Sequence, residues 1–300
     1  MSDEWAIETE GLGRQYGKRW AVRGLGLQVP RGAVYGFLGL NGAGKSTTIR
    51  MLMGLIRRHD GEARVLGLDP QRQGVEVKRR VGYVAEAPVF YDWMTVEETC
   101  RFVGTYHGKR WNWPHVEQLL DRFRLPQREK MRNLSKGQRA KTSLVLALAF
   151  DPEVLILDEP TSGLDPMARR EFVEGILAQF QESGKTIFVS SHLVNELAGL
   201  VDHVGILYEG QLLLSARTDD FLDSVRRVRL AFDGAAPAEV ACDGMLHRQV
   251  DQHEAALVVG EFDEAKVRAQ LLPYRPASIE FERLNLEDAF VEVVGAEERA

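Results

Sequence analysis

The chain has 300 residues, 44% apolar and 27% charged, with a formal net charge of −6. That length predicts two domains, the composition excludes disorder, and the acidic balance argues against broad nucleic-acid binding. The two cysteines, Cys100 and Cys242, match no metal spacing, no apolar run approaches the ~20 residues that span a bilayer, and the first residues are acidic and polar rather than basic and then apolar. A cytoplasmic chain is expected, with any membrane role coming through a partner.

Residues 5–10 and 20–29 alternate well enough to predict two strands, with Tyr16-Gly17-Lys18 in a loop between them. Tyr16 could stack on an adenine there, although a lone tyrosine is more often packing. Residues 33–38, AVYGFL, form a short apolar run that reads as a buried strand, and Ile49, Leu52, Met53 and Ile56 recur at helical spacing. Between them lies GLNGAGKST, residues 39–47, which fits the phosphate-binding template of a glycine, four free positions, then Gly-Lys-Ser or Gly-Lys-Thr. Gly39, Gly42 and Gly44 let successive N–H groups converge on a phosphate. Lys45 supplies a point charge, Ser46 puts a hydroxyl where Mg²⁺ sits, and Thr47 begins the helix. A glycine-rich turn with an exposed lysine is the plainer reading, but the strand before and the helix after favour a nucleoside triphosphate site.

A turn at 57–61, a strand at 62–66 and a second turn at 67–70 precede a more helical, aromatic-bearing region. The strand Val81–Val84 ends at Ala85-Glu86-Ala87-Pro88, which holds Glu86 at a strand end. Residues 89–94, VFYDWM, then bring large side chains into a loop ahead of the capping-box pair Thr95 and Glu98. They read as local core or as a docking surface for a partner. Farther on, Ser135 and Gly137 open an apolar helical stretch, 140–150, where they can offer groups to an anion or where Ser135 simply caps the helix.

The run Val154–Leu157 is the pattern of a parallel strand buried on both faces, and it ends in Asp158-Glu159-Pro160. Ligands bind at that edge of open α/β sheets, so Asp158 can reach Mg²⁺ and Glu159 can face the water that attacks the terminal phosphate; a solvated acidic turn is the alternative. A second buried strand, 186–189, delivers Ser190-Ser191-His192 to the same edge. His192 there contacts a phosphate, orders the water or serves as a structural histidine.

Together these stretches resemble the ATP-binding cassette family of transporter ATPases, from residue 5 to about 215. GLNGAGKST looks like its Walker A, LSKGQ at 134–138 its signature and VLILDEP at 154–160 its Walker B. Ser162-Gly163-Leu164-Asp165 looks like its D-loop and Ser190-Ser191-His192 its switch histidine, all in the family's order. The resemblance implies an α/β P-loop NTPase fold with a mixed core sheet and a helical signature subdomain at about 88–150. It implies ATP and Mg²⁺ as cofactors, the metal held through Ser46, Glu86 and Asp158, and catalysis by Glu159, His192 and Lys45. Nucleotide contacts are expected from Tyr16 as the A-loop aromatic, from Gly39, Asn41, Gly42, Ala43, Gly44, Lys45, Ser46 and Thr47, and from Gln138 and Asp165. Ser135 and Gly137 would face the γ-phosphate bound by a second chain.

Three positions depart from the family's common pattern. Leu40 stands where many members have proline, Lys136 where many have glycine, and Glu86 where the Q-loop glutamine is usual. An ionised carboxylate accepts but cannot donate hydrogen bonds, yet it suits a hard cation.

Past residue 215 the pattern changes to alternating strands at 227–232, 255–259 and 278–281 and helices at 264–272 and 286–294, a small α+β domain spanning 216–300. Its ending, LNLEDAFVEVVG at 284–295, resembles the C-terminal extension of bacterial exporter-type cassettes, which implies regulation or stronger dimerisation. The implied function is the ATP-hydrolysing subunit of a transporter, for export rather than import. It would work as a head-to-tail pair on separate integral membrane permease subunits at the inner face of the cell membrane, without nucleic acid. A small-molecule kinase or GTPase is the first competitor, but no Asn-Lys-x-Asp motif occurs and LSKGQ has no role there. A cytosolic cassette ATPase acting on ribosomes or nucleic acid is the second; those usually carry two cassettes or a long coiled coil, and neither is present.

Overall fold

Runs of β-branched and aliphatic residues too short for a helix are stable only where both sheet faces are covered, and the core of this chain is built on three of them. The structure, a computed structural model, describes residues 4–180 and 184–299; the acidic start at 1–3 lies outside them. Its strands in chain order are β1 (Trp5–Tyr16), β2 (Arg19–Pro30), β3 (Val34–Leu38), β4 (Asp60–Val65), β5 (Val81–Val84), β6 (Val154–Asp158), β7 (Thr186–Ser191), β8 (His203–Tyr208) and β9 (Gln211–Arg217). Four more follow: β10 (Arg226–Ala231), β11 (Met245–Val250), β12 (Glu254–Val259) and β13 (Ser278–Arg283). The chain divides into two units. One holds the residues up to His192 together with Gly205–Ser215, and the other holds Leu193–Val204 and everything from Ala216 onward.

In the first unit a six-stranded sheet has the order β5-β6-β7-β3-β8-β9. Its first four strands run parallel, with Val84 beside Leu157, Asp158 beside Ser190 and Leu38 beside Ser191. Parallel register is what matters for the site, because it brings the C-terminal ends of β3, β5, β6 and β7 to one edge. A three-stranded antiparallel sheet, β2-β1-β4, lies beside it in the same unit. The opening strands are longer than alternation predicts, so Tyr16 closes β1 and the turn begins at Gly17. Between β5 and β6 come the helices Val96–His107, Trp113–Arg122 and Lys136–Leu148. The first begins with the expected capping box: Thr95 Oγ1 accepts from Glu98 N at 3.1 Å and Glu98 Oε2 accepts from Thr95 N at 2.8 Å.

The second unit contains an antiparallel sheet in the order β11-β12-β10-β13. Val228, Leu230, Leu257 and Val259 point to one face, where they meet Val267 and Leu271 of the helix Glu264–Leu271. A last helix, Leu286–Arg299, buries Leu286, Ala289, Phe290 and Val294. Strand β11 escapes sequence patterning, since His247, Arg248 and Gln249 break any apolar alternation. Among the described residues no helix is long and apolar enough to cross a membrane.

Candidate nucleotide site

The loop after β3 turns so tightly that side chains are excluded at its hinges. A Cβ on Gly44, whose φ is +110°, would lie 2.4 Å from the Ala21 carbonyl oxygen, and one on Gly39 would lie 2.5 Å from that of Leu207. Glycine is therefore required by backbone contact. The helix Lys45–Leu52 starts directly from this turn. Lys45 is only 5% exposed, and its Nζ donates to the carbonyl oxygens of Gly39 at 2.6 Å and Leu40 at 3.2 Å. The same nitrogen lies 3.1 Å from Glu159 Oε1.

Two adjacent carboxylates at the end of β6 have different partners. Asp158 Oδ1 accepts from Ser46 Oγ at 2.9 Å and from Ser190 Oγ at 3.0 Å. Burial raises its proton affinity above the ordinary aspartate range; the two hydroxyls act against that, and the charge of Glu86 adds to it. Glu159 is the first residue past the strand and takes φ +47°, a left-handed conformation that costs a non-glycine residue on the order of 1–3 kcal/mol. That turn aims its carboxylate at two groups at once, Lys45 on Oε1 and His192 on Oε2. His192 Nδ1 lies 2.7 Å from Oε2 and the His192 backbone N–H donates to it at 3.3 Å. Ser190 joins the two halves, because its hydroxyl accepts from Glu159 N at 3.0 Å while donating to Asp158. Sequence reasoning brought Ser190 to this edge with His192 but gave it no role, because its bonds to Glu159 and Asp158 exist only once β6 and β7 pair.

A second set of expected residues gathers around the helix Lys136–Leu148. Ser135 Oγ accepts from Gln138 N at 3.2 Å and Gln138 Oε1 accepts from Ser135 N at 2.9 Å, so these two side chains close a capping box. A Cβ on Gly137 would come within 3.2 Å of the Ala168 Cβ, and the Lys136 amine lies against Gly163. Asp165 Oδ1 accepts from Met167 N at 3.1 Å and Ala168 N at 2.9 Å, which caps the helix Pro166–Phe180. Asn41 and Gly42 are exposed at the tip of the phosphate loop, Ala43 is buried, and Thr47 is half-buried on the first helical turn. Glu86 is exposed just past β5.

Tyr16 is 48% exposed, and one face of its ring is covered by Arg14, whose guanidinium carbon lies 4.7 Å from the ring centroid. Arg14 is in turn held by Nη1, which donates to the Arg57 carbonyl at 2.8 Å and lies 3.1 Å from His59 Nε2. Nothing in the spacing of Arg14 announces this.

A buried lysine at the start of a helix, presented by a glycine turn and faced by carboxylates at the end of a parallel strand of the same sheet, is the architecture of a P-loop nucleoside triphosphatase. Comparison with known proteins narrows the class. The family described as ABC transporter matches residues 22–162. The bacitracin transport ATP-binding protein BcrA of Bacillus licheniformis is 38% identical over 213 residues, covering 69% of this chain and 68% of BcrA. The linearmycin resistance ATP-binding protein LnrL of Bacillus subtilis is 30% identical over 310 residues, covering 96% and 98%. Among solved structures, an ATP-binding subunit of an ABC transporter superposes with a TM-score of 0.66 at 29% identity, covering 73% of this chain and 92% of that one. The dimeric cassette MJ0796 shares the fold, with a TM-score of 0.63 at 21% identity over 70% of this chain and 98% of its own. The chain belongs to the ATP-binding subunits of ABC transporters: it binds and hydrolyses ATP to power transport.

Proposed function

We propose that hydrolysis runs through the contact chain Lys45–Glu159–His192, the observation that carries this reading. Lys45 provides a buried positive charge for the outer phosphates, and the glycine turn provides N–H groups. Glu159 takes the proton of the attacking water, with His192 fixing the carboxylate through its ring and backbone N–H. Mg²⁺, when bound, neutralises charge developing on the phosphate oxygens. The donors fit such an ion: Ser46 and Asp158 already touch, Glu86 adds a second carboxylate, and the raised proton affinity of Asp158 marks a buried charge that a cation would stabilise. Glu159→Gln should keep ATP binding and lose turnover; normal hydrolysis in that variant would remove Glu159 from its role.

The rest of the assembly follows the same logic. Ser135 and Gly137 of one chain would meet the γ-phosphate held by Lys45 of another, a reading supported by the dimeric cassette MJ0796. Lys45→Ala and Gly137→Asp, each inactive alone, should regain ATP-dependent dimerisation when mixed, because one site of the mixed dimer is intact. A mixture that exchanges subunits and regains neither dimerisation nor hydrolysis would overturn the shared site.

Residues 1–215 would form this motor and 216–300 an accessory domain. The membrane partner is a permease at the inner face of the cell membrane. Val89, Tyr91, Trp93 and Tyr106, exposed by 93%, 54%, 63% and 70%, give the motor an aromatic docking surface for it. Trp93→Ala should keep basal hydrolysis and lose stimulation by the reconstituted permease, and unchanged stimulation would exclude the patch. Export of an antibiotic-like compound is the substrate reading supported by BcrA, LnrL and the daunorubicin/doxorubicin resistance protein DrrA of Streptomyces peucetius, 35% identical over 233 residues.

A further inference from the structure

The outer face of the four-stranded sheet carries charges sorted by position. Antiparallel pairing sets His247, Val258, Arg227 and Glu282 in one cross-strand row and Gln249, Ala256, Arg229 and Glu280 in the next. Over these rows lies a cavity of about 350 Å³, within the range that holds small ligands. Ala256 and Val258 form its floor, Arg227 and Arg229 one side, and His247 and Gln249 the other. The helix Leu286–Arg299 contributes Glu292, whose Oε2 lies 3.2 Å from His247 Nδ1. At the opposite end, where the β11–β12 hairpin turns, the lining becomes Asp251 and Glu254.

These charges select against simple ions. A plain anion would meet Asp251 and Glu254, and a plain cation would meet both arginines. The arginines share a single carboxylate oxygen on the side away from the cavity: Glu282 Oε2 lies 3.1 Å from Arg229 Nη2 and 3.9 Å from Arg227 Nη1. That oxygen holds the Arg229 guanidinium by a charge-assisted hydrogen bond and only approaches that of Arg227, so the pair keeps positive charge for an acceptor in the cavity. Glu254 sits two residues along β12 from the Arg229 row and four from the Arg227 row, about 7 and 14 Å at ~3.4 Å per residue. That separation exceeds the span of a free amino acid and matches an extended peptide of roughly two to four residues.

We infer that this face binds a short zwitterionic peptide, its carboxylate at Arg227 and Arg229, its ammonium at Asp251 and Glu254, and its small side chains over Ala256 and Val258. The site lies wholly within the second unit. The test uses the full-length chain and tri-L-alanine as probe, titrated calorimetrically to about 10 mM, beside N-acetyl-tri-L-alanine and tri-L-alanine amide. Saturable binding with a Kd on the order of 1 mM is expected, each capped peptide binding at least about tenfold more weakly. Arg229→Ala should abolish the discrimination against the amide, and Glu254→Gln that against the acetylated peptide. An unchanged far-UV circular dichroism spectrum and denaturant unfolding curve show that these surface variants are folded, and Arg229→Glu provides a charge-reversed check. Absence of saturable heat overturns the inference. So does a capped peptide that binds as tightly as tri-L-alanine, undiminished binding of the acetylated peptide indicating an anion site and of the amide a cation site; so does binding that none of the three substitutions changes.

Discussion

In the six-stranded sheet Val154–Leu157 and Ile187–Val189 are buried on both faces, so polar groups lie where the strands end: Asp158, Glu159, Ser190 and His192. In the four-stranded sheet Arg227 and Arg229 alternate with the buried Val228 and Leu230, so polar groups lie along the strands, beside solvent. The first arrangement desolvates its carboxylates and holds them by neighbouring strands in parallel register. The second keeps its charges solvated and paired sideways. Chemistry that needs a perturbed group fits the strand ends, whereas recognition by paired charges fits the open face.

The severest test of that contrast is Glu159→Gln. As a general base at a desolvated strand end, Glu159 should account for roughly 10²–10⁴-fold in turnover, measured as phosphate release with nucleotide binding followed separately. Comparable loss from Arg229→Ala on the open face would break the contrast outright.

Packing gives the next effect. Leu257 is fully buried on the inner face of the antiparallel sheet, and Leu257→Ala should cost about 2–5 kcal/mol in denaturant unfolding. Ala256, its neighbour on the outer face, should tolerate serine within about 0.5 kcal/mol. Equal costs would show that the two faces are not distinguished as the alternation requires.

Two aspartates in the first unit sharpen the comparison through pH. Asp69 takes two 2.9 Å bonds from the Arg58 guanidinium, which hold its carboxyl down to about 2 from an ordinary 3.8. A depressed carboxylate contributes stability above its unfolded value and loses it as pH falls toward the folded one. Asp69→Asn should therefore destabilise the protein at neutral pH, by about 1 kcal/mol once solvent screening of this near-surface pair is counted, with parent and variant converging as pH falls to about 2. Asp158 shifts the other way, raised chiefly by burial. Its ionised form is disfavoured by folding, so it lowers stability once pH rises through its folded value. Asp158→Asn keeps an oxygen for Ser46 and Ser190 and should raise the melting temperature at neutral pH while abolishing the Mg²⁺ dependence of ATP hydrolysis. A lower melting temperature there would contradict the burial argument.

What could be read in the chain follows the same division. The phosphate loop, Asp158, Glu159 and His192 were legible as candidates because phosphate chemistry demands those residue types in one local order, and Ser135 because an N-cap is local, whereas Gln138 came only with the family resemblance. Ser190 and Arg14 were not, since their bonds cross 31 to 45 residues and exist only once register and loops are set. Strand β11 was hidden by solvated side chains, and the helices Trp113–Arg122 and Pro166–Phe180 by an unassigned stretch and by the D-loop that precedes them. In the second unit, alternation revealed the inner face of the sheet. The charge sorting on the outer face required the pairing of β10, β11 and β12, which sequence alone does not contain.

Arg14 tests the smallest effect at the nucleotide end. Its guanidinium lies 4.7 Å from the Tyr16 ring centroid and is fixed by the Arg57 carbonyl, leaving the opposite ring face for the adenine contact that the family resemblance implies for Tyr16. A cation over an exposed tyrosine is worth about 0.5–1 kcal/mol, so Arg14→Ala should raise the KM for ATP roughly two- to fivefold with kcat unchanged. Arg14→Lys keeps the charge but loses the flat guanidinium, and should fall between the two. The decisive comparison is with Tyr16→Ala: if Arg14 acts by holding that ring, the double variant should bind ATP no worse than Tyr16→Ala alone, whereas additive losses would mean that Arg14 works through the Arg57 and His59 turn instead.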